Sequence, residues 1–486
     1  MTSIDPKRTC GAGAFSSSPE AGFSHGKFRC LLAKAEQNRK CELPFQASFY
    51  RGVHEAILRG ACIMNTKRSF ALYGVLIFLI TAGCAAEVQK QVSTDFLPQR
   101  LERIDQAVEQ AIAAGEIHGA VALIMRDGQV GYHKAFGLAD LASGKEMTTD
   151  TIFRIASMTK AITSVAAMIL YEQGRFQLND PISKFLPRFA DMQIISEVGG
   201  DGSILDTVSA SSPIRIIDLL SHTSGISYPF IASKVQKSYV EAGIIDGLTA
   251  KDQALGDQME ILAAQPLLFE PGSEFAYGLN TDVLGHLIEV VSGQTLDRFI
   301  AENIAGPLGM TDTYFYLPND KAPRLATLYA YVDGQGLIES QGTEADIKLD
   351  NPNYPITGAR SYFSGGAGLS STASDYGRFC QMLLNDGELD GVRILSRKSV
   401  ELMRTARTDW DDDQIADFGL GFRVVSDLGK SGELGSVGAY SWGGAYYTTY
   451  WIDPRESLIG VFMSQARPVS SDISQKFRTL VYQALE

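Results

Sequence analysis

The body of this sequence has almost no cysteine. Cys10, Cys30, Cys41 and Cys62 precede residue 64, Cys84 follows shortly, and only Cys380 lies beyond it. One thiol cannot form an internal disulfide, which excludes a disulfide-stapled scaffold. The early cysteines include no Cys-x-x-Cys pair and are irregularly spaced, so they do not read as a zinc site. Histidine is scarce too: after residue 84 only His118, His133, His222 and His286 remain, none paired at i, i+4 for a helical metal site. No metal and no cofactor are expected. The esterase nucleophile elbow, Gly-x-Ser-x-Gly, is absent.

Cations are also short, with 43 Lys and Arg against 56 Asp and Glu and a net charge of −13. Residues 1–63 are basic, and Lys67 and Arg68 add to them, so the remainder is more acidic than the whole. Such a surface repels phosphate backbones, and nucleic acid is not an expected partner. At 45 % hydrophobic and 20 % charged, the composition excludes a disordered chain and a polytopic membrane protein. The length of 486 residues leaves room for more than one domain of ~150 residues.

The front of the chain does not read as part of the fold. Met64 is followed by Lys67 and Arg68, an apolar run from Phe70 to Ile80, and then Thr81-Ala82-Gly83-Cys84. A basic n-region, a short apolar h-region and small residues before a cleavage point make a secretory signal. The run is shorter than the ~20 residues a membrane span needs. Its end resembles the lipobox of bacterial lipoproteins, with Thr81 standing where leucine is usual and Cys84 as the lipidated residue. The expectation is an exported protein, periplasmic or tethered to the membrane through Cys84. Residues 1–63 read as an over-called start.

Beyond residue 96 the patterning is regular. Leu101, Ile104, Val108 and Ile112 share one face of a helix ending near Gly115. Ala120–Met125 and Val130–Phe136 read as strands joined by an Asp127-Gly128 hairpin turn. A helix is expected from Ser157 to Gln173. Near the end, Ala445–Ile452 and Ser457–Met463 read as strands about an Asp453-Pro454 turn, and 471–485 as a closing helix. The middle reads as helices and long loops, with helical patterns at Ile214–Leu220, Thr281–Ser292 and Ser374–Leu384. The expected architecture is α/β: an antiparallel sheet flanked by terminal helices, built from 97–185 and 390–486, with a mostly helical domain at 186–389 inserted.

Ser-x-x-Lys occurs as Ser157-Met158-Thr159-Lys160, and otherwise only as Ser24 to Lys27 in the suspect front segment. At a helix start, i and i+3 share a face, so Lys160 can reach the Ser157 hydroxyl. The helix N-terminus favours negative charge near that oxygen. A desolvated lysine can take a serine proton, which makes the pair an activated nucleophile. The pattern alone arises often by chance. Three further stretches follow in order: Leu219-Leu220-Ser221-His222-Thr223-Ser224-Gly225-Ile226, Pro271–Asn280 with Tyr277-Gly278-Leu279-Asn280, and Tyr440-Ser441-Trp442-Gly443-Gly444-Ala445.

Together these resemble the serine β-lactamase and penicillin-binding superfamily, in its class C-like branch, and in detail the family VIII carboxylesterases. The resemblance covers roughly 97–486 and implies that fold. It implies Ser157 as the acylated nucleophile, Lys160 as its partner and Tyr277 as the tyrosine sharing proton transfer. Trp442-Gly443-Gly444 falls where β-lactamases carry Lys-Thr-Gly on the strand edging the site, and the backbone N–H groups of Ser157 and Ala445 would form the oxyanion hole, often worth ~3 kcal/mol per donor. Two departures matter. Leu279 holds the third place of Tyr-x-Asn, with Asn280 displaced by one, and Trp442 replaces a cation. In β-lactamases that cation helps bind the drug's carboxylate and the asparagine contacts its amide, so losing both favours a neutral, apolar acyl group over a β-lactam.

The expected function is therefore a carboxylesterase acting on small-molecule, short-acyl esters through a Ser157 acyl-enzyme, with Trp442, Gly443, Gly444 and Leu279 lining the substrate site. A β-lactamase or D-amino acid peptidase would use the same residues, and a silent cell-wall receptor would use none of their chemistry. Other features read as structural: His222 as a loop histidine bonded to backbone, Cys380 as a core thiol, Asp411-Asp412-Asp413 as a solvated acidic loop, and Gly365-Gly366-Ala367-Gly368 as a turn into a helix. Oligomeric state is not legible.

Overall fold

The computed structural model describes residues 96–248, 253–340, 353–358, 360–409, 417–469 and 471–486. The signal-like segment, Cys84, the Ser24 motif and Asp411–Asp413 lie outside them.

The helix α1, Pro98–Ala113, opens with proline at its first turn and buries Ile104, Val108 and Ala111. It ends where Gly115 takes a φ of 70°, a left-handed position that suits glycine. Strands β1 (Gly119–Arg126) and β2 (Gln129–Asp140) follow. Asp127 and Gly128 between them both have positive φ, 51° and 75°, the requirement of a two-residue hairpin turn. With β3 (Lys145–Glu146) these form one side of the main sheet.

The other side comes from the far end of the chain: β4 (Thr408–Asp409), β5 (Asp417–Phe418), β6 (Arg423–Val424), β7 (Tyr440–Gly444), β8 (Thr448–Asp453) and β9 (Leu458–Met463). The described residues thus build a nine-stranded sheet in the order β4-β5-β6-β7-β8-β9-β1-β2-β3. All of its pairings are antiparallel, and β1 joins the two chain ends by pairing with β9, Leu123 opposite Val461.

Central strands are apolar throughout because both faces are covered. Val121, Leu123 and Met125 of β1 enter the larger core, whereas Ala120, Ala122 and Ile124 enter a second core on the opposite face. The second core is closed by α1 and the last helix, α5 (Ile473–Gln483), through Ile473, Phe477 and Val481. Truncating the fully buried Phe477 to alanine would cost about 3–5 kcal/mol. The larger core holds α2 (Thr159–Glu172), α3 (Asn280–Ser292) and α4 (Ala373–Leu384). Every residue of α2 from Thr159 to Leu170 is buried, the signature of a helix packed on all sides.

The structure differs from the sequence reading in two places. The expected strand Ala445–Ile452 is a hairpin: β7 ends at Gly444, Ala445-Tyr446-Tyr447 turns with Tyr447 at a φ of 68°, and β8 begins at Thr448. The turn is apolar, and Tyr446 is 2 % exposed, so the usual Gly, Asn or Asp signal is missing. The middle region also carries two hairpins, Gln193–Val198 with Ile204–Ser209 and Tyr329–Val332 with Gly336–Glu339. Their exposed residues blur the alternation that would mark them.

Candidate active site

Ser157 lies in a single turn of 3-10 helix, Ala156–Met158, immediately before α2. Ala156 has a φ of 42°, a left-handed conformation costing a residue with a Cβ roughly 1–2 kcal/mol. The surroundings hold it there. Ile155 N–H donates to Leu369 O at 3.0 Å, Leu369 N–H donates to Thr159 Oγ1 at 3.0 Å, and the Tyr376 hydroxyl donates to Met158 O at 2.9 Å.

Lys160 is one turn further along and 1 % exposed. Its Nζ lies 3.2 Å from Ser157 Oγ, 2.9 Å from the Tyr228 hydroxyl and 2.7 Å from the Gly366 carbonyl. Three acceptors match the three N–H donors of an ammonium. The same Nζ is 4.6 Å from the centre of the Tyr277 ring, within cation–π range.

The Tyr277 hydroxyl is 2.7 Å from Ser157 Oγ. Tyr277 sits in the loop before α3, and that loop packs tightly on the one containing His222. Ala276 N–H donates to His222 O at 2.8 Å, and a Cβ on Gly278 would lie 2.2 Å from Ile226 O. Trp442 of β7 places its Nε1 3.4 Å from the Tyr277 oxygen and packs edge-on against Phe418, ring centres 5.2 Å apart. The indole is therefore a hydrogen-bond donor to the tyrosine as well as part of the cavity lining.

Gly444 explains how Ala445 approaches the nucleophile. A Cβ there would meet Ile155 O at 2.3 Å, so only glycine lets β7 close on the Ser157 turn. Ser157, Tyr277, Trp442, Gly443 and Ala445 all line one cavity of about 960 Å³, which continues past Arg423 and Leu434 to Arg478 and Thr479 of α5.

Leu279 is placed elsewhere. It is 0 % exposed, caps the start of α3 and turns into the core, so it does not line the cavity. Asn280 is equally buried: its amide nitrogen is 3.0 Å from His222 Nδ1 and 3.3 Å from Ile226 O, and its oxygen accepts from Ser224 Oγ. His222 thus pairs with a side chain rather than with backbone at its ring. Burial, and then the Lys160 charge, hold its pKa well below 6.5, so the ring is neutral. Cys380 is buried, and burial pushes its thiol pKa well up.

Sequence reasoning missed Tyr228, Gly366 and Asp282. Burial, with Tyr277 adding to it, pushes the Tyr228 phenol pKa well up, which keeps it neutral beside Lys160. Asp282, on the first turn of α3, is wholly buried, and burial pushes its carboxyl up to about 6. Only the nearness of Tyr228 and Asp282 to the quoted motifs hinted at them. The Gly365-Gly366 pair was visible but carries its chemistry on a backbone carbonyl, which has no residue signature.

Comparison with known proteins gives a consistent picture. The protein-family description Beta-lactamase matches residues 104–483. Esterase EstB of Burkholderia gladioli is 31 % identical over 72 % of this chain and 86 % of its own length. Protein Rv1367c of Mycobacterium tuberculosis is 35 % identical over 74 % of this chain and 89 % of its own. Among solved structures, EstCE1, described as a hydrolase with promiscuous acyltransferase activity, superposes with a TM-score of 0.68 at 31 % identity, covering 79 % of this chain and 98 % of that one.

Proposed function

The chain belongs to the β-lactamase family, and on that premise we propose that it is a serine hydrolase cleaving short-acyl carboxylic esters through an acyl-enzyme on Ser157. The observation that carries this reading is the placement of Ser157 Oγ between Lys160 Nζ at 3.2 Å and the Tyr277 hydroxyl at 2.7 Å. Ser157 Oγ attacks the ester carbonyl while its proton passes to the Tyr277 oxygen. Tyr277 accepts that proton as the phenolate, and the Lys160 ammonium and the Trp442 indole N–H stabilise the negative charge it carries before the proton arrives and after it passes on. The amides of Ser157 and Ala445 receive the oxyanion. The tetrahedral intermediate collapses, the alcohol leaves with the proton held by Tyr277, and water repeats the sequence on the acyl group.

An indole where β-lactamases hold a carboxylate-binding cation supports a neutral acyl group over a β-lactam, as does an asparagine sequestered in the core and so withdrawn from a substrate amide. The test is kcat/KM for p-nitrophenyl butyrate beside that for a chromogenic cephalosporin. The reading expects the ester to be favoured and kcat/KM to rise from acetate to butyrate, at ~0.8 kcal/mol per buried methylene. A preference for the cephalosporin overturns it. Export with a lipid tether at Cys84 belongs to the same proposal, and loss of membrane association in Cys84→Ser checks it.

A further inference from the structure

Lys160 is oriented by a piece of backbone, and that backbone is held by a carboxylate. The shortest contact of Lys160 Nζ is with Gly366 O at 2.7 Å. Gly366 belongs to a turn in which Ser364 Oγ donates to Asp282 Oδ1 at 2.7 Å and Gly366 N–H donates to the same oxygen at 3.4 Å. Ala367 N–H closes the turn on Ser364 Oγ at 3.1 Å, and Thr163 Oγ1 of α2 donates to Gly365 O at 2.9 Å. The turn lies so close to α3 that a Cβ on Gly366 would be 2.4 Å from Asp282 Oδ2, and one on Gly365 2.4 Å from Thr281 O.

We propose that Asp282 is a positioning residue for the reaction: by clamping the Ser364–Gly366 turn to α3, it sets the carbonyl that aims the Lys160 ammonium at Ser157 Oγ. This rests on Ser157 being the nucleophile and Lys160 its partner. The clamp couples the parts of the site. Asp282 is five positions beyond Tyr277, so one segment fixes both the tyrosine and the acceptor that holds the lysine.

The arrangement is held against a cost. Asp282 is 0 % exposed, so its carboxyl is held wholly inside the core. The groups facing it are the Lys160 ammonium, the Asp246 carboxyl and the phenols of Tyr228 and Tyr362. Burial pushes both carboxyls up, Asp282 to about 6 and Asp246 to about 7. A purely structural position would be more stable with an apolar residue of similar size. What aspartate supplies here is an acceptor for two donors of one turn.

The experiment compares Asp282→Ala, Asp282→Asn and Ser364→Ala with the wild type. Each is assayed for steady-state kcat and KM with p-nitrophenyl butyrate, for the rate of Ser157 labelling by a fluorophosphonate, and for thermal melting. Misplacing a catalytic group can cost about 100-fold, so Asp282→Ala is expected to lose roughly 10- to 100-fold in kcat and in labelling rate with KM within about twofold. Asp282→Asn keeps an oxygen at Oδ1 and should recover most of that loss. Ser364→Ala, a smaller change that serves if Asp282→Ala does not fold, should lose about 3- to 10-fold in the same two rates at an unchanged melting temperature. The proposal is overturned if a folded Asp282→Ala or Ser364→Ala labels and turns over at the wild-type rate, or if Asp282→Asn fares no better than alanine. Wild-type labelling on a serine other than Ser157 would instead remove the reading on which the proposal rests.

Discussion

The indole Nε1 of Trp442 and the phenolic oxygen of Tyr277 lie 3.4 Å apart, so the aromatic residue that stands in for a cation still points a donor at the tyrosine. Size and donor can be separated. Trp442→Phe keeps most of the apolar wall and removes the N–H, and is expected to lower kcat for p-nitrophenyl butyrate roughly tenfold, ~1.4 kcal/mol, with little change in KM. Trp442→Lys should weaken ester turnover and improve cephalosporin binding. Steady-state kinetics on both substrates check the pair.

Lys160 and Tyr277 share Ser157 as a partner and touch through the 4.6 Å cation–π contact. Lys160→Ala and Tyr277→Phe are each expected to cut kcat by at least ~10²-fold. Because they act as a unit, the double variant should be far less than multiplicatively worse. A double-mutant cycle in kcat/KM measures this, and multiplicative losses would contradict a shared proton path.

Gly444 and Gly443 are adjacent but not equivalent. Alanine at 444 would place a Cβ 2.3 Å from Ile155 O and push β7 from the nucleophile turn, whereas alanine at 443 meets only Thr448 O at 3.2 Å. Gly444→Ala should therefore lose kcat about 100-fold and some stability, on the ~1–3 kcal/mol scale of overpacking. Gly443→Ala should fold normally and act mainly on KM. Melting curves and kinetics together distinguish them.

Asp246 is buried, and its carboxyl is pushed up to about 7 from an ordinary value near 3.8. Between these values the folded chain binds more protons than the unfolded one, so this group's contribution to stability declines as pH rises from about 4 to about 7. Asp246→Asn removes the ionisation and keeps an acceptor for Leu248 N–H, now 3.1 Å from Asp246 Oδ1. Its melting temperature is expected to exceed that of the wild type at pH 8 by a few degrees and to converge with it at pH 4. Melting across that range provides the check.

Much of this fold is legible because its signals are local. The Asp127-Gly128 turn, the apolar stripe of α1 and the unbroken apolar runs of β1 and β9 each follow from a few neighbouring residues. The β7–β8 turn is not legible, because Ala445-Tyr446-Tyr447 lacks Gly, Asn and Asp and buries Tyr446 at its centre. Ser157 and Lys160 could be paired from their i, i+3 spacing, and Tyr277 came through resemblance. Tyr228, the Gly366 carbonyl and Asp282 gather around Lys160 only when α2, α3, the loop that carries His222 and Tyr228, and the loop between 360 and 370 pack together, and no spacing rule reports that. Leu279 reads as a substrate residue from its place in a motif, but at the start of α3 it packs into the core.

The central claim is that ester cleavage proceeds through an acyl group on Ser157. Rapid acid quench of the enzyme with excess p-nitrophenyl butyrate, followed by peptide mass mapping, tests it most directly. The account predicts a butyryl group on the peptide containing Ser157, absent from Ser157→Ala, which should keep its fold and lose turnover. Turnover by Ser157→Ala at the wild-type rate, or a butyryl group on a different residue, would contradict it.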